Sequence, residues 1–189
     1  MVSFDVVSLF TNVPLNEVID LACDYVYGND DEKPEYERKH FRKLLLYATS
    51  GEFLYRDRLF KQVDGVAMGS PLGPTLANLF MAHLEERWVE QACSPVTYFR
   101  YVDDIFCIFD NDKAHHNDFL EFLNSQHPNL SFTCEIGPKS LPFLDVMVDV
   151  DSGALTLGVF RKTTYTGLVM NFFSCCPMAW KKGLIIVIL

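Results

Sequence analysis

The sequence predicts an α+β protein in which helices cover an antiparallel sheet. Strand-like and amphipathic segments follow one another in the order β-α-α-β-β-α-β-β-α-β-β-β, and strand pairs joined by short turns favour antiparallel hairpins. Hydrophobic residues make up 49% and aromatic residues 14% of the 189-residue chain. A chain of this length and composition can bury one substantial core, so we expect a globular protein.

The first half of the chain is predicted to contain a strand, two helices and a hairpin. In order, these elements cover residues 2–9, 15–27, 35–49 and 52–63. The strand is an apolar run interrupted by Asp5, and a turn at residues 11–14 separates it from the first helix. The first helix is recognised by apolar residues that recur at a spacing of three and four.

The second half is predicted to contain two further helices, a hairpin and three strands. These are a helix over 75–89, a hairpin over 97–109, a helix over 113–123, and strands over 130–135, 143–149 and 155–160. In the helix over 75–89, four large side chains fall four residues apart and predict one buried stripe: Leu76, Phe80, Leu84 and Trp88. No element is assigned from residue 161 onward.

Several classes of protein are disfavoured by the sequence. The longest apolar runs are shorter than the ~20 residues that span a bilayer, and the first residues do not resemble a signal peptide. The six cysteines form no C-x-x-C pair and have no histidine pair at zinc spacing. We therefore expect a reduced protein that is not secreted, in the nucleus or cytoplasm, with no membrane partner.

The net charge of −9 is unexpected for a nucleic-acid-binding protein, because attraction to phosphates is electrostatic. Phosphate binding would require a local basic strip. Residues 161–166 (RKTTYT), followed by Lys181 and Lys182, are the one such strip downstream. Phosphate contact and an ordinary solvated surface are equally compatible with it.

Three aspartates form the strongest candidate for chemistry. Asp103 and Asp104 lie between two strand-like segments, and Asp5 interrupts a similar strand far upstream. Two adjacent carboxylates in such a setting repel each other unless a cation neutralises them, and divalent metal ions prefer oxygen ligands. Three carboxylates on adjacent strands can support two-metal phosphoryl transfer. The alternative interpretation is an exposed hairpin turn and a separate turn aspartate.

Two further segments are candidates for binding. A glycine- and proline-rich loop at residues 65–74 leads into a helix and permits close backbone approach, although it is not a P-loop. Phe10 follows Asp5 by five residues, where its ring could border a nucleotide sugar, and Gln62 could contact a base. A helix-entry loop, a core phenylalanine and an exposed strand residue are the alternative interpretations.

In the same order, four segments resemble the motifs of a reverse transcriptase palm. Residues 4–10 (FDVVSLF) resemble the first catalytic motif and residues 101–104 (YVDD) the second. Residues 65–71 (GVAMGSP) resemble the loop that contacts template and nucleotide, and residues 141–145 (LPFLD) resemble the primer-grip turn. The similarity extends over nearly all of the first 183 residues.

The resemblance implies a palm-type antiparallel sheet backed by helices and the activity of an RNA-directed DNA polymerase. It makes Asp5, Asp103 and Asp104 the catalytic carboxylates and the ligands of two Mg²⁺ ions, which Mn²⁺ could replace. The partners would be an RNA template, a DNA primer and deoxynucleoside triphosphates. The resemblance assigns nucleotide or template contact to Val6, Phe10, Gln62, Gly69, Ser70 and Lys139. Among these, the Val6 carbonyl would help hold a metal, Phe10 would exclude ribonucleotides, and Lys139 would protonate pyrophosphate.

The subgroup that the chain resembles is the Penelope-like retroelements. Residues 9–14 (LFTNVP), 67–74 (AMGSPLGP) and 161–167 (RKTTYTG) are typical of them. By this resemblance, residues 1–160 are the palm, and residues 161–189 are the start of the thumb or connection with a degenerate tail. The fingers would be largely missing and the thumb truncated, so we expect the isolated chain to have little or no polymerase activity.

Two alternatives remain open at this point. One is a non-catalytic remnant of a retroelement that binds nucleic acid or a protein partner. The other is a different palm-type enzyme, such as an RNA-copying RNA polymerase or a nucleotide cyclase. A large ring at Phe10 disfavours ribonucleotides and therefore argues against the RNA polymerase.

Overall fold

The computed structural model describes residues 1–28, 34–88, 95–110, 115–151, 153–167, 171 and 173–188. The predicted fold class is confirmed, because helices pack on a mainly antiparallel sheet. Within these ranges, no helix has the length and apolar character needed to cross a bilayer.

The central sheet has four strands in the order β4-β5-β1-β6. These strands cover Val2–Val6 (β1), Thr97–Tyr101 (β4), Asp104–Ile108 (β5) and Phe132–Ile136 (β6). β1 lies between β5 and β6 and pairs with both in antiparallel orientation. The strand nearest the start of the chain therefore occupies the middle of the sheet.

Six helices are present in the described residues. They cover Leu9–Asn12 (α1), Leu15–Tyr27 (α2), Arg38–Thr49 (α3), Gly73–Glu85 (α4), His116–Ser125 (α5) and Met178–Ile188 (α6). α1 corrects the sequence prediction, because β1 ends at Val6 and residues 9–12 form one helical turn instead of strand and turn. α4 begins two residues earlier than predicted and ends at Glu85, so the predicted end at residue 89 was wrong: residues 86–88 form a turn, and residue 89 itself lies outside the described residues.

The main core lies on one face of the central sheet. Val2, Phe4 and Val6 of β1 point into it, whereas Ser3 and Asp5 lie on the opposite face, as the period of two in a strand requires. Helices α2, α4 and α5 cover the core face. The predicted buried stripe is confirmed in part on α4, where Leu76, Phe80 and Leu84 are buried, and Trp88 is buried too but lies in the turn after α4 ends.

The opposite face of the central sheet is partly covered by a second sheet. Its strands, in the order β7-β8-β9, cover Ser140–Phe143, Val146–Asp151 and Ala154–Val159. Phe106 of β5 packs there against Leu141 and Val148, and its ring centroid is 5.5 Å from that of Phe143. This cover leaves the end of the sheet that carries Asp5 open.

The second sheet also corrects a predicted strand. Residues 143–149 were expected to form one strand, but the chain turns at Leu144 and Asp145, between β7 and β8. Leu144 has a φ of 55°, in the left-handed region that non-glycine residues rarely adopt. No glycine or asparagine marks this turn in the sequence.

The remaining two strands form a separate hairpin, as predicted. They cover Glu52–Tyr55 (β2) and Arg58–Lys61 (β3). The rings of Phe53 and Phe60 stack across the hairpin at a centroid distance of 5.6 Å, and both remain exposed.

Candidate active site

The pairing of β1 with β5 brings the distant aspartates together. Asp5 is the direct cross-strand partner of Asp104. Side chains that are directly opposite in an antiparallel pair have Cβ atoms ~4.5–5.5 Å apart and project from the same face. The two carboxylates therefore share the open face of the central sheet, although 98 positions in the chain lie between them.

Asp103 lies in the two-residue turn between β4 and β5. Its carbonyl oxygen accepts a hydrogen bond from the Val6 backbone N–H at 3.1 Å, which ties the turn to the end of β1. Val102, the other residue of the turn, has a φ of 56°. Because a β-branched side chain is unfavourable in this region, the turn holds backbone strain beside the candidate catalytic residue.

The pKa values of Asp5 and Asp104 are raised by burial and by the neighbouring carboxylates. Partial burial and the neighbouring Asp103 raise the pKa of Asp5. Burial also raises the pKa of Asp104, and the negative charges of Asp103 and Asp5 raise it further, whereas the Lys162 ammonium acts in the opposite direction. The fold therefore clusters negative charges at one place, and their electrostatic repulsion destabilises the folded state.

Arg100 of β4 braces the turn from the side of the helices. Its Nη1 donates to the Val102 carbonyl oxygen at 3.0 Å, and its Nε donates to Oε1 of Glu85 on α4 at 2.5 Å. The Tyr98 hydroxyl donates to the same Glu85 oxygen at 2.6 Å. Burial and the Glu85 carboxylate raise the pKa of Tyr98. This network was not predicted from the sequence.

Phe10, four residues after the end of β1, contacts the glycine-rich loop. The Val66 N–H donates to the Phe10 carbonyl oxygen at 2.7 Å. Gly65 has a φ of 76°, and a Cβ atom there would lie 2.7 Å from the carbonyl oxygen of Thr11. The Phe10 ring lies beside Gly73, whose ideal Cβ position is 3.6 Å from it. Glycine thus permits the close approach of two segments that are far apart in sequence.

The other predicted loop residues have mainly local contacts. The Ser70 hydroxyl accepts a hydrogen bond from the Leu72 N–H at 3.4 Å, at the entrance to α4. Gly69 is exposed, with a φ of 89° and open space where a Cβ would be. The Gln62 amide donates to the Asp64 carbonyl at 3.0 Å, so it is engaged at the base of the β2–β3 hairpin.

A cleft of about 740 Å³ opens beside the paired aspartates. It lies between the central sheet and the tip of the β7–β8 hairpin, with the segment after β9 as a further wall. Four carboxylates and one ammonium group are among its lining side chains: Asp5, Asp104, Glu135, Asp145 and Lys162. The other predicted site residues do not line it: Asp103, Val6, Phe10, Gln62, Gly69 and Ser70.

Lys162, and not the expected Lys139, is the lysine beside the paired aspartates. Lys139 is exposed in the link between β6 and β7, where its carbonyl accepts a hydrogen bond from Val150, and it does not line the cleft. Lys162 does line it, together with Thr163 and Thr164. The sequence signal was the basic strip at 161–166, but nothing local indicated which of its residues faces the carboxylates.

The residues at the cleft have the donor chemistry of a magnesium site. Within the described ranges, no three side chains of the His, Cys, Asp and Glu types converge into a ready-made metal cage. Carboxylate oxygens are nevertheless the ligands that Mg²⁺ and Mn²⁺ prefer. Burial, and then repulsion from neighbouring carboxylates, raise the pKa of Asp5 and Asp104, and a divalent cation between them would offset both effects.

Comparison with known proteins identifies what these residues are similar to. Residues 1–132 match the family described as "Reverse transcriptase (RNA-dependent DNA polymerase)". The matched range is more than half of the chain and contains all three aspartates. No curated protein sequence matches.

Two solved structures share the fold. The apo telomerase of Candida tropicalis, truncated from the C-terminal domain, superposes with a TM-score of 0.56 and 16% identity over 84% of this chain and 35% of that one. The telomerase of Candida albicans, in complex with a TWJ fragment of telomeric RNA, gives a TM-score of 0.60 and 10% identity over 82% and 30%. The chain thus spans about a third of the length of these two chains.

Proposed function

Because the chain belongs to the reverse transcriptase (RNA-dependent DNA polymerase) family, we propose that its cleft is the site of RNA-directed nucleotidyl transfer from a deoxynucleoside triphosphate to a primer 3′-hydroxyl. The observation that carries this proposal is the cross-strand pairing of Asp5 with Asp104, beside Asp103. Asp5 and Asp104 share the open sheet face, and Asp103 in the adjoining turn is close enough to influence the pKa of both. Carboxylates that lie close together are what phosphoryl transfer with two divalent cations requires.

In this proposal, each group has a definite task. Asp5, Asp103 and Asp104 hold Mg²⁺ or Mn²⁺, and when bound these ions lower the pKa of the primer hydroxyl and neutralise the leaving pyrophosphate. Phe10 borders the nucleotide sugar and excludes a 2′-hydroxyl. The loop at residues 65–73 supports Phe10 from behind and leaves open backbone at Gly69 for the template base pair. The strained turn at Val102 and the Arg100 brace hold Asp103 in position.

Metal binding provides the first test, because it requires neither primer nor template. We expect the unchanged chain to bind Mn²⁺ in an electron paramagnetic resonance titration, and Asp5→Asn and Asp104→Asn each to weaken binding at least tenfold. Glu121→Gln on α5 removes one exposed carboxylate elsewhere and serves as the matched control. Equal Mn²⁺ affinities in all four proteins would contradict the proposal.

Primer extension on an RNA template provides the second test. We expect low incorporation by the isolated chain, and its loss in Asp5→Asn and Asp103→Asn with folding retained. Incorporation that persists in Asp103→Asn would refute the assigned carboxylates, and vigorous synthesis by the chain would refute the expectation of low activity.

The acidic charge favours a second candidate, a family member that binds nucleic acid or a protein partner without catalysis. The net charge is −9 and the cleft has four carboxylates, so free nucleic acid is repelled unless cations intervene. Extension by the unchanged chain no greater than that by Asp103→Asn, with binding retained by both, would support this candidate.

The finer assignments are part of the same proposal. The motif at residues 161–167 (RKTTYTG) supports a Penelope-like retroelement as the source and residues 161–189 as the start of the thumb or connection. The partners are then an RNA template, a DNA primer and deoxynucleoside triphosphates. A phylogeny of aligned palm sequences that places this chain outside the Penelope-like branch would contradict the subgroup.

A further inference from the structure

β9 is an edge strand that lacks the features by which proteins protect a sheet edge. An unpaired edge presents free N–H and C=O groups, and charged side chains or proline normally keep other chains from pairing with it. Every other edge strand in the described ranges has such a residue: Glu52 in β2, Arg58 in β3, Arg100 in β4, Glu135 in β6 and Pro142 in β7. β9, with the sequence ALTLGV, has neither a charge nor a proline, and all six of its residues are exposed. It is therefore the strand best suited to pair with another chain.

One face of β9 continues the apolar face of the second sheet, but the described part of the chain leaves it uncovered. Val148 of β8 is buried against the central sheet, and Leu157 is its cross-strand partner, so both side chains project from the same face. Leu155 and Val159 lie on that face too, because the period of a strand is two. Leu155, Leu157 and Val159 are 53%, 74% and 76% exposed. This apolar row therefore remains in contact with water although its sheet has a buried core.

The free backbone groups of β9 belong to the same three residues. The Phe160 N–H donates to the Asp145 carbonyl oxygen at 2.8 Å, so the backbone polar groups of Phe160 point toward β8. Residues of an antiparallel strand alternate between pointing toward one neighbouring strand and toward the other. Leu155, Leu157 and Val159 therefore direct their N–H and C=O groups toward the open edge. A strand added there would form its hydrogen bonds and its apolar contacts with one set of residues.

The apolar row is complementary to itself in antiparallel orientation. A twofold axis at Leu157 places Leu157 opposite its own copy and Leu155 opposite Val159, and each pair can exchange both of its backbone hydrogen bonds. The flanking charges are also complementary, because this arrangement brings Arg161, just after β9 in one copy, toward Asp151 at the end of β8 in the other. We propose that β9 is a homodimer interface, in which pairing with β9 of a second copy of this chain joins the two three-stranded sheets into one.

The proposed interface adjoins the cleft with the aspartates. Val159 lines a small cavity together with Phe160 and Lys162, and the last two also line the cleft. Pairing at Val159 would therefore hold the strand end from which one wall of the cleft continues. The proposal itself does not depend on the proposed function, since it rests on strand geometry alone.

Sedimentation velocity tests the dimer without nucleotide, metal or nucleic acid. One strand pair is a small interface, so we expect a dissociation constant on the order of 10 μM and a sedimentation coefficient that rises between about 1 and 200 μM protein. Leu157→Lys places two like charges directly opposite each other and should weaken the dimer about tenfold or more. A chain that stays monomeric at the highest concentration would overturn the proposal.

Thr156→Lys is the matched control, because it adds the same charge to the same strand on the opposite face. It should change the dissociation constant less than about threefold, since the apolar row and the free backbone groups are retained. Circular dichroism establishes that both variants are folded. Equal effects of Leu157→Lys and Thr156→Lys would overturn the assignment of the interface to this face of β9.

Cysteine cross-linking tests the register. Residues of a hydrogen-bonded antiparallel pair have Cα atoms ~5.5 Å apart, within the range of a disulfide. Under mild oxidation, Leu157→Cys should therefore give a covalent dimer through position 157. Leu155→Cys should not, because its two copies would lie roughly 13 Å apart along the strands. Mass spectrometry of the linked peptides distinguishes these links from any at the native cysteines.

Linkage at position 155 that equals or exceeds linkage at position 157 would overturn the register, and no linkage at either would overturn strand pairing. Since none of these measurements requires turnover or a substrate, failure of the dimer and failure of the proposed polymerase function are separate results.

Discussion

Replacing Asp104 by Asn should make the protein more stable when divalent cations are absent. The half-buried Asp104 carboxylate faces Asp5 directly across the strand pair and lies next to Asp103 in the chain. Like charges that are directly opposite in a sheet destabilise it by up to ~1 kcal/mol. Asn retains the shape and the backbone hydrogen bonds of β5 and removes the repulsion.

The magnitude follows from the size of the chain. For a protein of 150–250 residues, 1 kcal/mol corresponds to ~2–4 °C in melting temperature. We therefore expect Asp104→Asn to raise the melting temperature by about 2 °C in EDTA at pH 7.5, while the control Glu121→Gln leaves it within 1 °C. Mg²⁺ at about ten times its dissociation constant stabilises the unchanged protein by roughly 1.4 kcal/mol. With Mg²⁺ present, the unchanged protein should therefore have a higher melting temperature than Asp104→Asn.

The dependence on pH has a definite sign. The pKa of Asp104 is raised in the folded state, so the folded protein binds this proton more tightly than the unfolded chain does. The penalty is thus complete above the raised pKa and disappears as the pH falls through it toward the ordinary value near 4. The advantage of Asp104→Asn should shrink in that window. Differential scanning calorimetry that finds no gain in EDTA at pH 7.5, or an equal gain at every pH, would refute this reasoning.

Three further predictions concern the supports of the site. Gly65→Ala should lower the free energy of unfolding in urea by about 2 kcal/mol through backbone strain and a steric clash, whereas Gly69→Ala, which has open space, should cost about 1 kcal/mol or less. Glu85→Gln leaves the half-buried Arg100 without its charged partner and should cost about 2 kcal/mol in the same assay; a loss below 1 kcal/mol would contradict the brace. Burial raises the pKa of the Cys107 thiol to about 12, so iodoacetamide at pH 8 should modify it only after unfolding, as mass spectrometry of the labelled peptide would reveal.

Elements with strong local periodicity could be predicted from the sequence. α2 has the predicted bounds, Leu15–Tyr27, because its apolar residues recur at helical spacing and a proline precedes it. The β4–β5 hairpin also lies where two apolar runs flank the aspartate pair. In both, the information that specifies the element lies within the element.

Elements that depend on distant contacts could not be predicted. Residues 9–12 continue an apolar run, and what turns them into α1 is a left-handed Ser8, with a φ of 52°, and the docking of Val66 onto Phe10. Likewise, the pairing of Arg100 with Glu85 joins β4 to α4 across a loop, and no local pattern encodes it. The position of Lys162 at the cleft depends in the same way on the β9 end docking onto the β7–β8 tip.

The left-handed backbone at Val102 has a consequence for anyone who optimises this protein. Glycine would adopt that conformation without penalty, so a library selected only for heat tolerance should enrich Val102→Gly. The same exchange would loosen the bend that presents Asp103, since glycine accepts many other shapes equally well. Thermal stability and the correct position of Asp103 therefore favour different residues at position 102. A selection has to measure both heat tolerance and activity.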